Sequence, residues 1–199
     1  ENLDAGLVKL SGWNGTTPLL DSMCGSGTII VEALLMALNI APGLRRKFAF
    51  EKFNNFYQET WDSMKSTAKQ AIITEKKLEV YANDINPKAI AQTETNLRHV
   101  KLREYVSYTT IDFLHLKPVC ESGTLLTNPP YGIRLEETDE LALLYPQIAS
   151  HLKNSFAGWE CCFITADLRM PKLMRLKPSN KIPLYNGALD CRLFKFKMV

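Results

Sequence analysis

Asn128-Pro129-Pro130-Tyr131 places an amide, two consecutive prolines and a flat aromatic face within four residues. Proline lacks an N–H and fixes φ, so the pair cannot continue a sheet ladder and holds a rigid turn instead. That turn leaves the Asn128 amide oxygen and the Pro129 carbonyl as convergent acceptors beside Tyr131. The group that fits is a planar NH₂. Its two hydrogens go to the two acceptors, its ring stacks on the tyrosine, and the nitrogen lone pair turns toward an electrophile. Such an amine is nearly non-basic, so alignment and preorganised acceptors contribute more than a general base. The bland reading of the same residues is a structural turn after a strand.

A holder for the electrophile stands upstream, where Leu19-Leu20-Asp21-Ser22-Met23-Cys24-Gly25-Ser26-Gly27-Thr28 reads as strand, tight turn and helix start. Glycines let the backbone take positive φ and let a ligand approach main-chain N–H groups. The stretch suits a nucleoside-containing cofactor, with Asp21, Met23, Cys24, Gly25, Ser26, Gly27 and Thr28 as its lining. A dinucleotide fingerprint is excluded because its third glycine position carries Ile30, and no Gly-Lys-Ser/Thr of a P-loop follows Gly25.

Alternating strands and helices position these groups. A helix over residues 1–10 precedes a first strand, Pro18 to Leu20, and an apolar helix, Thr28 to Leu38. Strands follow at Leu78–Ala82, Tyr105–Thr110, Gly123–Thr127 and Cys161–Thr165, with helices from Pro87 toward Arg98 and from Glu140 to Lys153, the latter holding Pro146. Ile182 to Tyr185, an Asn186-Gly187 turn and an alternating strand from Ala188 to Met198 form a hairpin. The pattern implies an α/β fold: a mostly parallel sheet covered on both faces, ending in an antiparallel hairpin.

In such sheets ligands bind at the carboxyl ends of the strands, near the switch in strand order. Asp21, Asp84, Asp112 and Asn128 each close one of the first four strands. Singly, each is an ordinary cap or turn residue. Together they suggest roles: Asp84 accepts from ribose hydroxyls, Ile85 presses on a purine face, and Asp112, flanked by Phe113, accepts from an exocyclic amine. The interval from Gly27 to Asp84 is far longer than the ~20 residues of a dinucleotide site. A helical insertion over about 42–77 accounts for it. There Arg45, Arg46, Lys47, Phe48, Phe50, Lys52, Phe53, Phe56, Tyr57 and Trp61 interleave basic and aromatic residues. The favoured reading is that these aromatics pack against the parent fold, as most aromatics do. The other is direct contact with nucleic acid.

With 199 residues and a net charge of +3, the chain is large enough for one substantial core, and its mild basicity permits a polyanionic partner without requiring one. Five cysteines show no Cys-x-x-Cys spacing, which suggests neither a disulfide framework nor a zinc site and fits a reducing, cytoplasmic setting. No apolar run reaches the ~18 residues needed to span a bilayer. Opening on Glu1, the sequence is expected to be a piece of a longer protein.

Asp21-Ser-Met-Cys-Gly-Ser-Gly-Thr28 together with Asn128-Pro-Pro-Tyr131 resembles the S-adenosylmethionine-dependent methyltransferases that modify exocyclic amines. Among these the chain is similar to the group joined to an RNA-binding THUMP domain, most closely the bacterial 23S rRNA guanine-N2 methyltransferases of the RlmL type. Phe48-Ala-Phe-Glu-Lys-Phe53 and Leu184-Tyr-Asn-Gly-Ala-Leu-Asp-Cys-Arg-Leu193 add to the likeness, which covers essentially the whole chain. It implies a Rossmann-like class I methyltransferase domain over residues 1–199, with a seven-stranded sheet and a THUMP domain upstream. It further implies S-adenosylmethionine as cofactor, its methionine part on Asp21–Thr28, its ribose on Asp84, its adenine amine on Asp112, and a target base at Asn128–Tyr131. Ser22 departs from the proline common in the family. The implied partner is ribosomal RNA, with the target nucleotide unpaired or flipped out. Arg134, Lys153, Arg169, Lys172, Arg175 and Lys177 are candidates for phosphate contacts or equally for solvated surface charges. Adenine N6 in DNA or RNA and the glutamine amide of a protein are alternative acceptors, and a non-catalytic binding module is the reading of another class.

Overall fold

The computed structural model describes residues 2–129 and 135–199, with the side chains of all of these but 135–141. Seven strands form one sheet: β1 (Leu19–Asp21), β2 (Val80–Asn83), β3 (Val106–Thr109), β4 (Gly123–Thr127), β5 (Trp159–Thr165), β6 (Asn180–Asn186) and β7 (Leu189–Lys197). Their spatial order is β3-β2-β1-β4-β5-β7-β6. The first five strands run parallel, and β7 lies antiparallel between β5 and β6. From β1 the chain winds outward through β2 to β3, then returns to β4 on the other side of β1. This reversal opens a crevice at the carboxyl ends of β1 and β4.

Alternation along the strands splits the core into two layers. Leu19, Leu126, Cys162, Ile164 and Leu193 face α1 (Asn2–Ser11), α2 (Thr28–Ala37) and α4 (Pro87–His99). Leu20, Leu125, Phe163, Phe194 and Phe196 face α5 (Leu135–Ser155) and α6 (Met170–Met174). A one-residue slip of β1 or β4 would exchange the two faces, so the packing fixes the register that brings Leu20 beside Leu125.

Most expected elements are present, with shifted ends. β1 begins after Pro18, whose carbonyl accepts from Thr124 N–H at 2.9 Å but which has no N–H for the ladder. α5 starts at Leu135, five residues earlier than the periodicity suggested, and contains Pro146. The hairpin turn is Gly187-Ala188 rather than Asn186-Gly187, since Asn186 pairs with Leu189. Gly187 carries φ 60° while Ala188 has a negative φ, the geometry of a type II′ turn, in which only the first central residue needs glycine's freedom. The five-residue helix α6 has no counterpart in the sequence reading, being too short for a periodic signal.

The segment after α2 forms a short 3₁₀ turn, Ala49–Lys52, and helix α3 (Gln58–Gln70). Neither buries a residue. Its aromatics join neither core layer and pack on one another, Phe48 stacked on Phe50 at 5.3 Å and both meeting Trp61 edge-on. The expectation that they pack against the parent fold is therefore corrected: the segment hangs on the domain by its ends. Asn39 Nδ2 donates to Ala71 O, Ile73 N–H to Leu38 O, and Lys76 Nζ to the Asn14 and Ala37 carbonyls. No helix among the described residues is long and apolar enough to cross a membrane.

Candidate active site

β1 delivers Asp21 to the crevice, fully buried. Its Oδ1 accepts from the Thr127 hydroxyl at 2.9 Å and from Met23 N–H at 3.3 Å. The same N–H also reaches Thr127 Oγ1 at 3.2 Å, so the first turn of the glycine loop is pinned to both central strands. Burial pushes the Asp21 carboxyl up to about 7, with Thr127 and Met23 opposing that shift and the Asp84 and Asp4 charges adding to it.

The two glycines do different work. Gly27, at φ 78°, caps α2, and a Cβ there would lie 2.6 Å from Thr93 Cγ2 on α4. Gly25, at φ 56°, has nothing within 4 Å of where its Cβ would stand. Gly27 thus lets α4 pack close against the start of α2, while Gly25 presents open space suited to a ligand. Helix α4 braces the loop from behind: Thr93 Oγ1 donates to Gly25 O at 2.9 Å, and Asn96 Nδ2 to Ser26 O at 2.9 Å. Spaced by three, these residues share one helical face.

Asp84, immediately after β2, accepts from Gly25 N–H at 3.0 Å through Oδ2 and from Asn86 N–H at 2.9 Å through Oδ1. A carboxylate has about four acceptor positions, so both oxygens can still take hydroxyl donors. Ile85 is 66% exposed and Ile111 38% exposed, two apolar side chains at the ends of neighbouring strands. Asp112 caps a 3₁₀ turn, Phe113–His115, by accepting from Leu114 N–H at 3.0 Å, and 43% of its side chain remains exposed. The Phe113 ring points elsewhere, into the core against Phe156, Phe163 and His151. Asn128 is half-buried and Pro129 buried at the end of β4, while Pro130, Tyr131 and Arg134 lie outside the described residues.

Asn83, Thr93, Asn96 and Thr127 were not singled out by sequence. Asn83, the last residue of β2 and fully buried, satisfies its whole amide: Nδ2 donates to Ser22 O and Ile111 O, and Oδ1 accepts from the Thr109 hydroxyl and Ile111 N–H. It ties together the loops after β1 and β3. The Cys24 side chain lies in the core, its Sγ 3.5 Å from Thr93 Oγ1, and burial, then the Asp21 charge, push its thiol up to about 12. That makes it no nucleophile at neutral pH. Arg169 forks onto Asp167 through Nε and Nη2, so much of its charge is spent within the chain.

A glycine loop clamped between the first two strands, with polar residues ending β1 to β4 in one row, describes a class of nucleotide-cofactor sites. The family model described as RMKL-like, methyltransferase domain, matches residues 1–195. The chain belongs to that family. Among relatives of the RMKL-like domain, a ribosomal RNA large subunit methyltransferase K/L of Shewanella baltica is 37% identical over 196 residues, which is 96% of this chain and 28% of the relative. SMU.472, solved in complex with S-adenosylhomocysteine, superposes with a TM-score of 0.93 at 28% identity, covering all of this chain and 52% of that one. A structure from Listeria monocytogenes described as a predicted N6-adenine-specific DNA methylase gives a TM-score of 0.89 at 26% identity, over 99% of this chain and 50% of that one. The seven-stranded sheet with its antiparallel closing pair is the shared methyltransferase fold of these structures.

Proposed function

We propose that this domain transfers a methyl group from S-adenosylmethionine to an exocyclic amine of RNA, guanine N2 in 23S rRNA being the specific acceptor. The observation that carries the reading is the row Asp112, Asp84, Asp21, Asn128 at the ends of adjacent strands β3-β2-β1-β4, with the glycine loop hydrogen-bonded into it through Gly25 N–H and Asp84. The names of the ribosomal RNA relatives and the bound S-adenosylhomocysteine of SMU.472 support it. The chain spans only 28% of the length of those curated relatives.

The residues present fit the cofactor. Open space over Gly25 admits a ligand against the main chain, Asp84 keeps acceptor capacity for ribose hydroxyls, and Ile85 and Ile111 offer apolar contact for an adenine with Asp112 beside them. S-adenosylmethionine supplies an electrophilic methyl on a sulfonium. Asn128 and the Pro129 carbonyl hold the target amine by its hydrogens, which stabilises positive charge developing on nitrogen. Thr127 sets their position, because its hydroxyl fixes the end of β4 to Asp21.

Calorimetry with S-adenosylhomocysteine, followed by methylation of 23S rRNA and mass spectrometry of the digested nucleosides, tests the reading. N2-methylguanosine, lost in Asn128→Ala while cofactor binding persists, is expected. Wild-type methylation by Asn128→Ala would overturn the acceptor role. The Listeria neighbour favours a second reading, adenine N6, which the same digest would reveal as N6-methyladenosine.

A further inference from the structure

Helix α3 is amphipathic in composition yet buries no residue, which is unusual for a helix that must gain most of its stability from packing. Beside it Phe50, Phe53, Phe56, Tyr57, Trp61 and Met64 line an open cleft of about 280 Å³. Phe53 is 62% and Tyr57 75% exposed, and the Trp61 indole N–H has no acceptor among the described residues. Cations flank the rings: Arg46 lies over Phe48 at 5.9 Å, and Lys65, which also pairs with Asp62, lies over Trp61 at 5.6 Å.

Charge says what covers this face. Residues 44–77 hold eight of the 24 Lys and Arg but only four of the 21 Asp and Glu, leaving 16 against 17 in the rest of the chain. The whole positive balance therefore resides in this segment, interleaved with ring faces that stack on any base. Basic tracks with exposed aromatics are the architecture of single-strand binding.

We infer that the aromatic cleft of residues 48–64 captures unpaired bases of an RNA strand, as a surface separate from the acceptor site. The segment leaves the C-terminal end of α2 and is tied there and to the end of α4, through Ile73 N–H to Leu38 O and Arg45 to His99 O. The glycine loop sits at the opposite end of α2, about 15 Å away for a ten-residue helix. A strand held here cannot present the same nucleotide to Asn128. It anchors a large RNA at a second point. This rests on the part of the proposed function that makes RNA the partner, and not on the methyl transfer.

Fluorescence anisotropy of the protein with a short labelled oligouridylate tests the inference, with Phe53→Ala/Tyr57→Ala and Phe53→Leu/Tyr57→Leu as variants at exposed positions that leave the core untouched. Stacking predicts that the alanine pair binds about tenfold or more weakly. The leucine pair should lose most of that affinity too, because leucine keeps apolar area but has no ring face. S-adenosylhomocysteine binding should be unchanged in both. Wild-type oligonucleotide affinity in the alanine pair would overturn the inference. So would full retention by the leucine pair, or a change confined to self-association in light scattering, which would mark a protein interface. Loss of cofactor binding by the unaltered protein would instead sink the methyltransferase reading and leave this one standing.

Discussion

The Thr127 hydroxyl donates to the Asp21 carboxylate at 2.9 Å, joining the last residues of the two central strands. One residue later on each side the chain enters the loop proposed to hold the methyl donor and the turn proposed to hold its acceptor. The bond therefore sets the separation between the two halves of the reaction.

Thr127→Val keeps the shape and removes the donor, leaving a buried carboxylate short of one partner. Loss of such a bond costs about 1–3 kcal/mol. Urea denaturation should show a drop in that range, with S-adenosylhomocysteine affinity weakened in calorimetry, and Thr127→Ser should restore both.

Asp21 gives the protein a particular pH dependence. Its carboxyl is raised from 3.8 to about 7 in the folded state, chiefly by burial, so between those values the folded chain binds more protons than the unfolded one. Its contribution to stability is complete below pH 3.8, declines as pH rises, and is gone above about 7. Subtracting the stability profile of Asp21→Asn from that of the wild type, measured by denaturation across this window, should leave a negative slope.

The two loop glycines should separate under substitution. Gly27→Ala meets Thr93 at 2.6 Å and also pays for φ 78°, so a loss of about 2–4 kcal/mol is expected in thermal denaturation. Gly25→Ala meets nothing and pays only about 1–2 kcal/mol for its positive φ. Its added methyl should nevertheless lower S-adenosylhomocysteine affinity tenfold or more. Equal cofactor affinity in Gly25→Ala and wild type would show that the open space is not where the ligand sits.

Ser22 carries a buried hydroxyl with no hydrogen-bond partner among the described residues. Its backbone carbonyl, by contrast, is held by Asn83. Ser22→Ala removes the unsatisfied group without touching that contact, and should stabilise the protein by about 1 kcal/mol in urea titration.

The order of elements, the glycine loop and the strand-end row Asp21, Asp84, Asp112, Asn128 could be read in the sequence because each depends on local chemistry: apolar periodicity, positive φ, or a polar residue closing an apolar run. What rings and hydroxyls touch is not local. Phe113 adjoins Asp112 in sequence, but its ring turns into the core, since alternation alone does not say which side of a loop is filled. Phe48, Phe50 and Trp61 have the composition of core residues and yet pack on one another outside both core layers. Thr127 and Asn83 look like ordinary strand residues until partners 106 and 61 positions away come within hydrogen-bonding distance. By itself the sequence determined which strand ends carry acceptors, because backbone preference and hydrophobic patterning act over a few residues. Only the tertiary structure decided which of those acceptors are already bound, which glycine is braced and which is open, and that the basic aromatic segment faces solvent. Those properties arise from the packing of segments far apart in the chain.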